Sequence, residues 1–240
     1  MHVDVLGAGP RVVLVHGSVS AGMPSWEAQR PLAERFTLVV VTRSGYPPNP
    51  PLRRIDFEDQ ARELAGALEA GDHLVGHSYG GVVSLLAAAQ KPDALRSLTV
   101  IEPPAFGVAL GDPAVERFLD AFRGGYPREP KAYLEFFLPL VGTAFRAPDP
   151  LPPAIEQGAR AAIAERLPNE AEIPFAELRR APFPKLVVSG GHHPAFDAVC
   201  DVLERELNAE RAVVPGAGHS VARTGEPFNA VLLDFLARTQ

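Results

Sequence analysis

Residues 76–81, with the sequence Gly-His-Ser-Tyr-Gly-Gly, have the types and spacing that could do chemistry. A serine is a poor nucleophile unless it is exposed beside a base and beside donors for an oxyanion. A sharp strand-to-helix turn gives that exposure, and Gly76 and Gly80 leave room for such a turn. The pattern alone could be a glycine-rich loop, but an apolar stretch precedes it and a helical stretch, residues 82–90, follows. We therefore predict that Ser78 is a catalytic nucleophile.

The base for Ser78 is predicted at His219. This residue lies in a glycine-rich loop, residues 215–220, directly after the last predicted strand. Its late place in the chain agrees with the order nucleophile, acid, histidine. The alternative is an ordinary solvent-facing loop histidine. His77 adjoins the serine, but its side chain is expected to point away from the cleft, and we interpret it as structural.

Residues 16–18, His-Gly-Ser, follow the first buried strand and resemble a loop that supplies an oxyanion-hole N–H group. Together with residues 76–81 and 216–219, they occur in the order found in the α/β-hydrolase family, which the chain resembles over nearly its whole length. The resemblance implies that the oxyanion-hole donors are the N–H groups of Ser18 and Tyr79. It also implies that no metal or organic cofactor is required.

The acid of the catalytic group is open to alternatives. Most members of the family have an aspartate at the position that corresponds to residue 193, which is histidine here. A second arrangement in the family places the carboxylate after the strand that follows the nucleophile helix, and Glu102 occupies that place. We predict Glu102 as the acid, with Asp197 as the alternative and a dyad without an acid as the third case. His192 and His193 are not predicted to bind metal with Asp197, because adjacent residues seldom point to one centre.

The elements that must position these residues alternate between strands and helices. Apolar runs predict strands at residues 12–15, 37–41, 73–75, 98–101, 185–188 and 212–214, with an outer strand at 2–6. Helical spacing predicts helices at residues 26–36, 57–70, 82–90, 196–207 and 227–237. This alternation predicts an α/β fold, with a mostly parallel sheet that is covered by helices on both faces.

Residues 103–184 interrupt the alternation. They contain no convincing strand but have helical patches at residues 114–123, 131–140, 154–166 and 174–180. We predict a helical lid above the carboxyl edge of the sheet, inserted into a core domain of residues 1–102 and 185–240. Ordinary helices packed on a sheet face are the alternative. The segment is rich in aromatic residues, which favours a largely apolar pocket: Phe106, Phe118, Phe122, Tyr126, Tyr133, Phe136, Phe137 and Phe145.

The composition sets limits on partners and location. A formal net charge of −6 over 240 residues argues against nucleic acid or an anionic membrane as the main partner. The single cysteine, Cys200, excludes an intramolecular disulfide and is expected to be a buried helix residue. Neither a signal peptide nor a membrane-spanning run is visible, so a cytoplasmic location is expected. The oligomeric state is not fixed, and a homodimer is compatible with the sequence.

The predicted activity is hydrolysis of a small, largely apolar ester through an acyl-enzyme on Ser78. A serine at this position argues against the dehalogenase and epoxide-hydrolase branches of the family. Thioesters, lactones, carbon–carbon hydrolysis and perhydrolysis use nearly the same machinery and stay open. So does a different class, a hydrolase-like ligand-binding or signalling protein with little turnover.

Overall fold

A seven-stranded sheet forms the centre of the computed structural model, which describes residues 1–143 and 145–239. The strand order is β1-β3-β2-β4-β5-β6-β7, with parallel pairing throughout except that β1 runs antiparallel to β3 at one edge. The strands are β1 (His2–Leu6), β2 (Arg11–Val15), β3 (Thr37–Thr42), β4 (Asp72–His77), β5 (Leu95–Ile101), β6 (Lys185–Ser189) and β7 (Glu210–Val213). The sheet confirms the predicted α/β class.

Helices cover both faces of this sheet. Those of the main body are α1 (Met23–Trp26), α2 (Phe57–Ala67), α3 (Tyr79–Gln90), α8 (Pro194–Leu207) and α9 (Glu226–Arg238). One apolar cluster packs α2, α3 and α8 on one face, and a second packs α9 and the segment around Trp26 on the other. The strands β2 and β3 read as continuous apolar runs because both of their faces are buried.

Between β5 and β6 lies a helical segment, residues 103–184, which we call the insert. It carries α4 (Pro113–Arg123), α5 (Pro130–Leu140), α6 (Pro153–Ala164) and α7 (Phe175–Arg180), and its described residues contain no strand. The first two of these helices begin at a proline that follows a capping carboxylate, Asp112 and Glu129 respectively. All four agree closely with the predicted helical patches. The role of the insert as a lid stays a prediction.

The helix predicted over residues 26–36 differs from the observed structure. Helix α1 ends at Trp26, and a 3-10 helix continues over Glu27–Glu34. Pro31 lies inside this segment and has no N–H group to donate, which interrupts regular α-helical hydrogen bonding. The helix predicted to reach residue 70 also ends earlier, because Leu68 adopts an extended conformation.

Cys200 is buried in α8, as predicted, and burial raises the pKa of its thiol. Among the described residues, no helix combines the length and the apolar character needed to cross a membrane.

Candidate active site

Ser78 lies in the turn between β4 and α3, with φ 53° and ψ −126°. Residues other than glycine rarely adopt positive φ, and such strain is often found at functional sites. The turn packs tightly against its surroundings. A Cβ atom added at Gly80 would lie 2.3 Å from the carbonyl oxygen of His16, and one added at Gly76 would lie 2.4 Å from Ser84 Oγ. Both positions therefore require glycine for this turn to form.

His219 lies on the loop between β7 and α9 and points toward the serine. Its Nε2 is 2.9 Å from Ser78 Oγ, and its Nδ1 is 3.1 Å from Glu102 Oε2. The Phe196 ring packs against the imidazole, with 4.5 Å between ring centroids. Burial lowers the pKa of His219, so the ring is neutral near physiological pH and can accept a proton at Nε2.

Glu102 follows β5 directly, with a positive φ of 49°, and is 1% exposed. Its Oε1 accepts a hydrogen bond of 2.7 Å from the Gly190 N–H, and its Oε2 faces His219. The His192 Nδ1 is 3.7 Å from the same oxygen. Burial raises the pKa of Glu102 to about 7. The structure therefore brings together Ser78, His219 and Glu102, the three residues singled out from the sequence.

Asp197 lies apart from this group. Its Oδ1 accepts hydrogen bonds from Ser189 Oγ at 2.7 Å and from Arg211 Nη2 at 3.3 Å. The negative charge of Asp197 is thus engaged by a cation and a hydroxyl on neighbouring strands. The geometry favours Glu102 over this alternative as the partner of His219.

The neighbouring histidines have other contacts. His193 accepts a hydrogen bond from the Ala195 N–H at the start of α8, and His192 Nε2 donates to the Val141 carbonyl of the insert. His77 Nε2 donates to the His219 carbonyl at 2.9 Å and supports the loop that carries His219. Within the described residues, no cluster of three or more histidine, cysteine, aspartate or glutamate side chains is arranged for a metal ion.

The loop of residues 16–18 passes directly over Ser78. A Cβ atom added at Gly17 would lie 2.8 Å from Ser78 Cβ. In the part of the chain that the structure describes, the N–H groups of Ser18 and Tyr79 donate to no protein acceptor. Tyr79 is also the first residue of α3, where the helix dipole favours negative charge. Two N–H groups near the serine are thus available to an oxyanion.

Two cavities meet at Ser78, which lines both. The larger has a volume of about 600 Å³ and extends toward β1 and the loop before α1. The smaller has a volume of about 60 Å³ and extends beneath the insert. Aromatic side chains form much of its wall, among them Tyr79, Phe106, Phe118, Phe122, Tyr133 and Phe196, and Glu165 and Arg166 also line it. Phe137 and Val141 of the insert border both cavities.

Sequence reasoning missed a buried ion pair beneath the loop of residues 16–18. Arg43 Nη2 lies 2.7 Å from Glu165 Oε1, and these residues are 2% and 8% exposed. A signal for Arg43 existed, since a charged residue directly follows the buried strand β3 at the edge where functional side chains gather. No comparable signal marks Glu165, which lies 122 residues away in the insert.

Comparisons with known proteins agree with this architecture. A family model described as the alpha/beta hydrolase family matches residues 12–231. The polyketide synthase ThaQ of Burkholderia thailandensis is 31% identical over 255 residues, which cover 97% of this chain and 12% of that protein. A pimeloyl-[acyl-carrier protein] methyl ester esterase of Methylococcus capsulatus is 31% identical over 137 residues, 52% of each protein. The chain thus matches a small part of the synthase and about half of this esterase.

A solved structure of an alpha/beta hydrolase from Sphaerobacter thermophilus superposes with a TM-score of 0.69 and 24% identity. The superposition covers 98% of this chain and 95% of that chain, and it shows a common fold. With the family model matching most of its length, the chain belongs to the alpha/beta hydrolase family.

Proposed function

We propose that this protein is a serine-dependent hydrolase that cleaves a small, largely apolar ester through an acyl-enzyme on Ser78. The observation that carries the proposal is the continuous hydrogen-bonded series from Ser78 Oγ through His219 to Glu102, at 2.9 and 3.1 Å. This is the arrangement in which a neutral imidazole activates a hydroxyl and a carboxylate stabilises the resulting imidazolium. A ligand-binding protein without turnover would not need all three groups in this alignment.

In the first half of the reaction, Ser78 Oγ attacks the ester carbonyl while its proton passes to His219 Nε2. The carbonyl oxygen becomes an oxyanion, which accepts hydrogen bonds from the Ser18 and Tyr79 N–H groups. The tetrahedral intermediate then collapses as the bond to the alcohol oxygen breaks. His219 gives its proton to that oxygen, the alcohol leaves, and the acyl group stays on Ser78.

In the second half, His219 Nε2 takes a proton from water as the water oxygen attacks the acyl carbonyl. The same oxyanion donors act again, and the proton returns to Ser78 Oγ as the carboxylic acid is released. Glu102 accepts the His219 Nδ1–H in both halves, which keeps Nε2 free to receive a proton. The Gly190 N–H holds the other carboxylate oxygen in place.

The two cavities support an ester with one short side and one long side. We assign the acyl group to the smaller, aromatic cavity of about 60 Å³ and the alcohol portion to the larger cavity. Each methylene group that enters an apolar site contributes about 0.8 kcal/mol, roughly fourfold in rate. Chains that exceed the cavity lose this gain because they displace packed aromatic side chains.

A panel of p-nitrophenyl esters of increasing acyl length tests the substrate assignment. We expect kcat/KM to rise up to an acyl chain of about four carbons and to fall by at least about tenfold for an eight-carbon chain. Phe122→Ala, in the wall of the smaller cavity only, should move the optimum to longer chains. The matched variant Phe145→Ala, in the wall of the larger cavity only, should leave the optimum unchanged. A steady rise to eight carbons in the wild type would place the acyl chain in the larger cavity.

The raised pKa of Glu102 predicts how stability depends on pH. Because its pKa is about 7 in the folded state and 4.5 as a free group, the native protein binds this proton more tightly than the unfolded chain. Its contribution to stability is present below about pH 4.5 and is lost as the pH rises through about 7. Glu102→Gln should therefore raise the free energy of unfolding by up to about 3 kcal/mol near pH 8.

Thermal melts of the wild type and Glu102→Gln at about pH 4 and about pH 8 measure this effect. The two proteins should melt at similar temperatures at the lower pH, and the variant should melt higher at the upper pH. A variant that is less stable near pH 8 would mean that the folded protein favours the Glu102 carboxylate.

The reaction itself needs that carboxylate, so kcat/KM of the wild type should rise as the pH passes through about 7.

A thioester is the second candidate substrate, although the relative named a pimeloyl-[acyl-carrier protein] methyl ester esterase is named for cleaving an oxygen ester. The same serine and oxyanion donors would serve a thioester. Butyryl thioester and butyryl oxygen-ester substrates of matched size distinguish the two by kcat/KM.

We further propose that the insert acts as a lid over the site and that the protein works in the cytoplasm.

A further inference from the structure

A cluster of buried polar side chains, which we call the Arg43 cluster, lies under the loop of residues 16–18. It consists of Arg43, Tyr46, Gln60 and Glu165, with Ser18 at its edge. The guanidinium of Arg43 donates to Gln60 Oε1 and to Glu165 Oε1, both at 2.7 Å. Tyr46 OH donates to the same Glu165 oxygen at 2.8 Å. The steps assigned to Ser78 use none of these four side chains directly.

Arg43 binds the backbone of the loop that crosses the nucleophile. Its Nε donates to the His16 carbonyl at 2.9 Å, and its Nη2 donates to the Gly17 carbonyl at 2.7 Å. The Arg43 N–H donates to His16 Nε2, so the proton of this neutral ring is on Nδ1, which donates to the Gly17 carbonyl at 2.7 Å. The Gly17 carbonyl therefore accepts two hydrogen bonds, one of them from a cation.

The peptide unit that carries the Gly17 carbonyl also carries the Ser18 N–H. Because a peptide unit is planar and trans, fixing the direction of its carbonyl fixes the opposite direction of its N–H. The positive charge of the Arg43 guanidinium beside the carbonyl oxygen also polarises the peptide unit and strengthens the N–H as a donor. Arg43 thus sets both the aim and the strength of one proposed oxyanion donor.

The second proposed donor residue contacts the same guanidinium. The Arg43 Cζ atom lies 4.6 Å from the centroid of the Tyr79 ring and 4.8 Å from that of the Tyr46 ring. A guanidinium held by two aromatic faces and several acceptors has little freedom to move. The guanidinium therefore fixes the position of the loop of residues 16–18 relative to Tyr79, the first residue of α3.

Glu165 brings the insert into this arrangement. Its Oε1 pairs with Arg43, while its Oε2 accepts a hydrogen bond of 2.5 Å from Ser18 Oγ. The backbone on both sides of Glu165 is tied to the core, since Ile55 N–H donates to the Ala164 carbonyl and Arg166 N–H donates to the Ile55 carbonyl. One carboxylate thus holds the cation that orients the Ser18 amide and also holds the Ser18 side chain.

We propose that Arg43 and Glu165 are positioning residues for the oxyanion hole, which aim the Ser18 N–H at the reacting carbonyl oxygen. The inference rests on the proposed function, since it assumes that an oxyanion forms on the Ser78 adduct. A buried ion pair is weak evidence for a contribution to stability, because its desolvation can exceed its attraction. The Arg43–Glu165 pair is hydrogen-bonded to the peptide unit that carries the proposed donor, so its role is in the rate of the reaction.

The test measures kcat, KM and the affinity of a trifluoromethyl ketone, which forms a tetrahedral oxyanion adduct with an active-site serine. Rates are expressed per reactive serine, counted at the end point of a fluorophosphonate titration. We expect Glu165→Gln and Arg43→Lys to lower kcat by about 10- to 100-fold, with KM within about threefold of the wild type. Affinity for the ketone should fall by the same factor as kcat. Ser18→Ala keeps the amide and loses the Glu165 contact, so its loss should be smaller, about three- to tenfold.

Arg11→Lys is the matched control. Arg11 begins β2 and pairs with the buried Asp72 at the start of β4, at the opposite end of that strand from Ser78. This variant should keep the wild-type kcat and ketone affinity. An unchanged kcat per reactive serine in Glu165→Gln, or a lower kcat without weaker ketone binding, would overturn the positioning role. If Arg43→Lys or Glu165→Gln does not fold, Ser18→Ala decides by the same two readouts. A wild type that neither hydrolyses esters nor reacts with fluorophosphonate would instead refute the proposed function, and the positioning role with it.

Discussion

Replacing Ser78 by alanine is expected to lower kcat for ester hydrolysis by about 10⁵- to 10⁶-fold. The alanine has no oxygen to form the acyl bond, so only binding and the oxyanion donors continue to act. Their combined effect leaves a residual acceleration of about 10³- to 10⁴-fold over the reaction in water. Ser78 is buried at a tight turn, and alanine adds no atoms there, so the fold should tolerate the change.

The rate at which the purified variant hydrolyses p-nitrophenyl butyrate measures this loss. Circular dichroism checks that the variant is folded. Ser20→Ala is the control, since Ser20 lines the larger cavity but its Oγ contacts Ser25 and Arg223 rather than His219. That control should retain kcat within about threefold of the wild type. A Ser78→Ala protein that keeps most of its activity would show that another group is the nucleophile.

The second large effect is expected at Glu102. Its replacement by glutamine should lower kcat by about 10³- to 10⁴-fold. The neutral amide cannot stabilise the His219 imidazolium, and its NH₂ group can donate to Nδ1, which would put the imidazole proton on Nε2. The ring could then no longer accept the proton of Ser78. The Gly190 N–H can still bond to the amide oxygen, so the local backbone should be preserved.

The Asp197→Asn variant distinguishes between Glu102 and Asp197 as the acid that pairs with His219. Asp197 is bound to Ser189 and Arg211, so its neutral isostere should change kcat by no more than about threefold. Both variants are compared by kcat and KM with one short-chain ester at a pH on the plateau of the wild-type profile. If Asp197→Asn lost activity and Glu102→Gln kept it, the assignment of the acid would be wrong.

The fold and the turn at Ser78 could be predicted because their signals are local. The apolar runs of β2 and β3 are continuous, and the glycine pattern around Ser78 leaves no room for larger residues. Glu102 is predicted as the acid because it lies directly after the strand that follows the nucleophile helix, where a second arrangement of the resembled family has its carboxylate. The carboxyl ends of parallel strands meet at one edge, so residues at the ends of β4 and β5 had to lie near each other.

The Arg43 cluster could not be predicted because its members meet only in the folded chain. The packing of the insert against the core brings Glu165 to Arg43, and no local pattern in either segment encodes that contact. The division of the cleft into two cavities is hidden for the same reason. Phe137 and Val141 border both cavities, and their helical spacing alone fits an ordinary packed helix.

The central claim, an acyl-enzyme on Ser78, is tested most directly by trapping it. The wild type is mixed with excess p-nitrophenyl acetate, quenched in acid within the first turnovers, digested and mapped by mass spectrometry. The account predicts one acetylated site, at Ser78, that forms with the burst of p-nitrophenol. Its acetyl bond is hydrolysed with the rate constant of steady-state turnover. Turnover without any acetylated serine, or with the acetyl group on Ser18 or another residue, would contradict it.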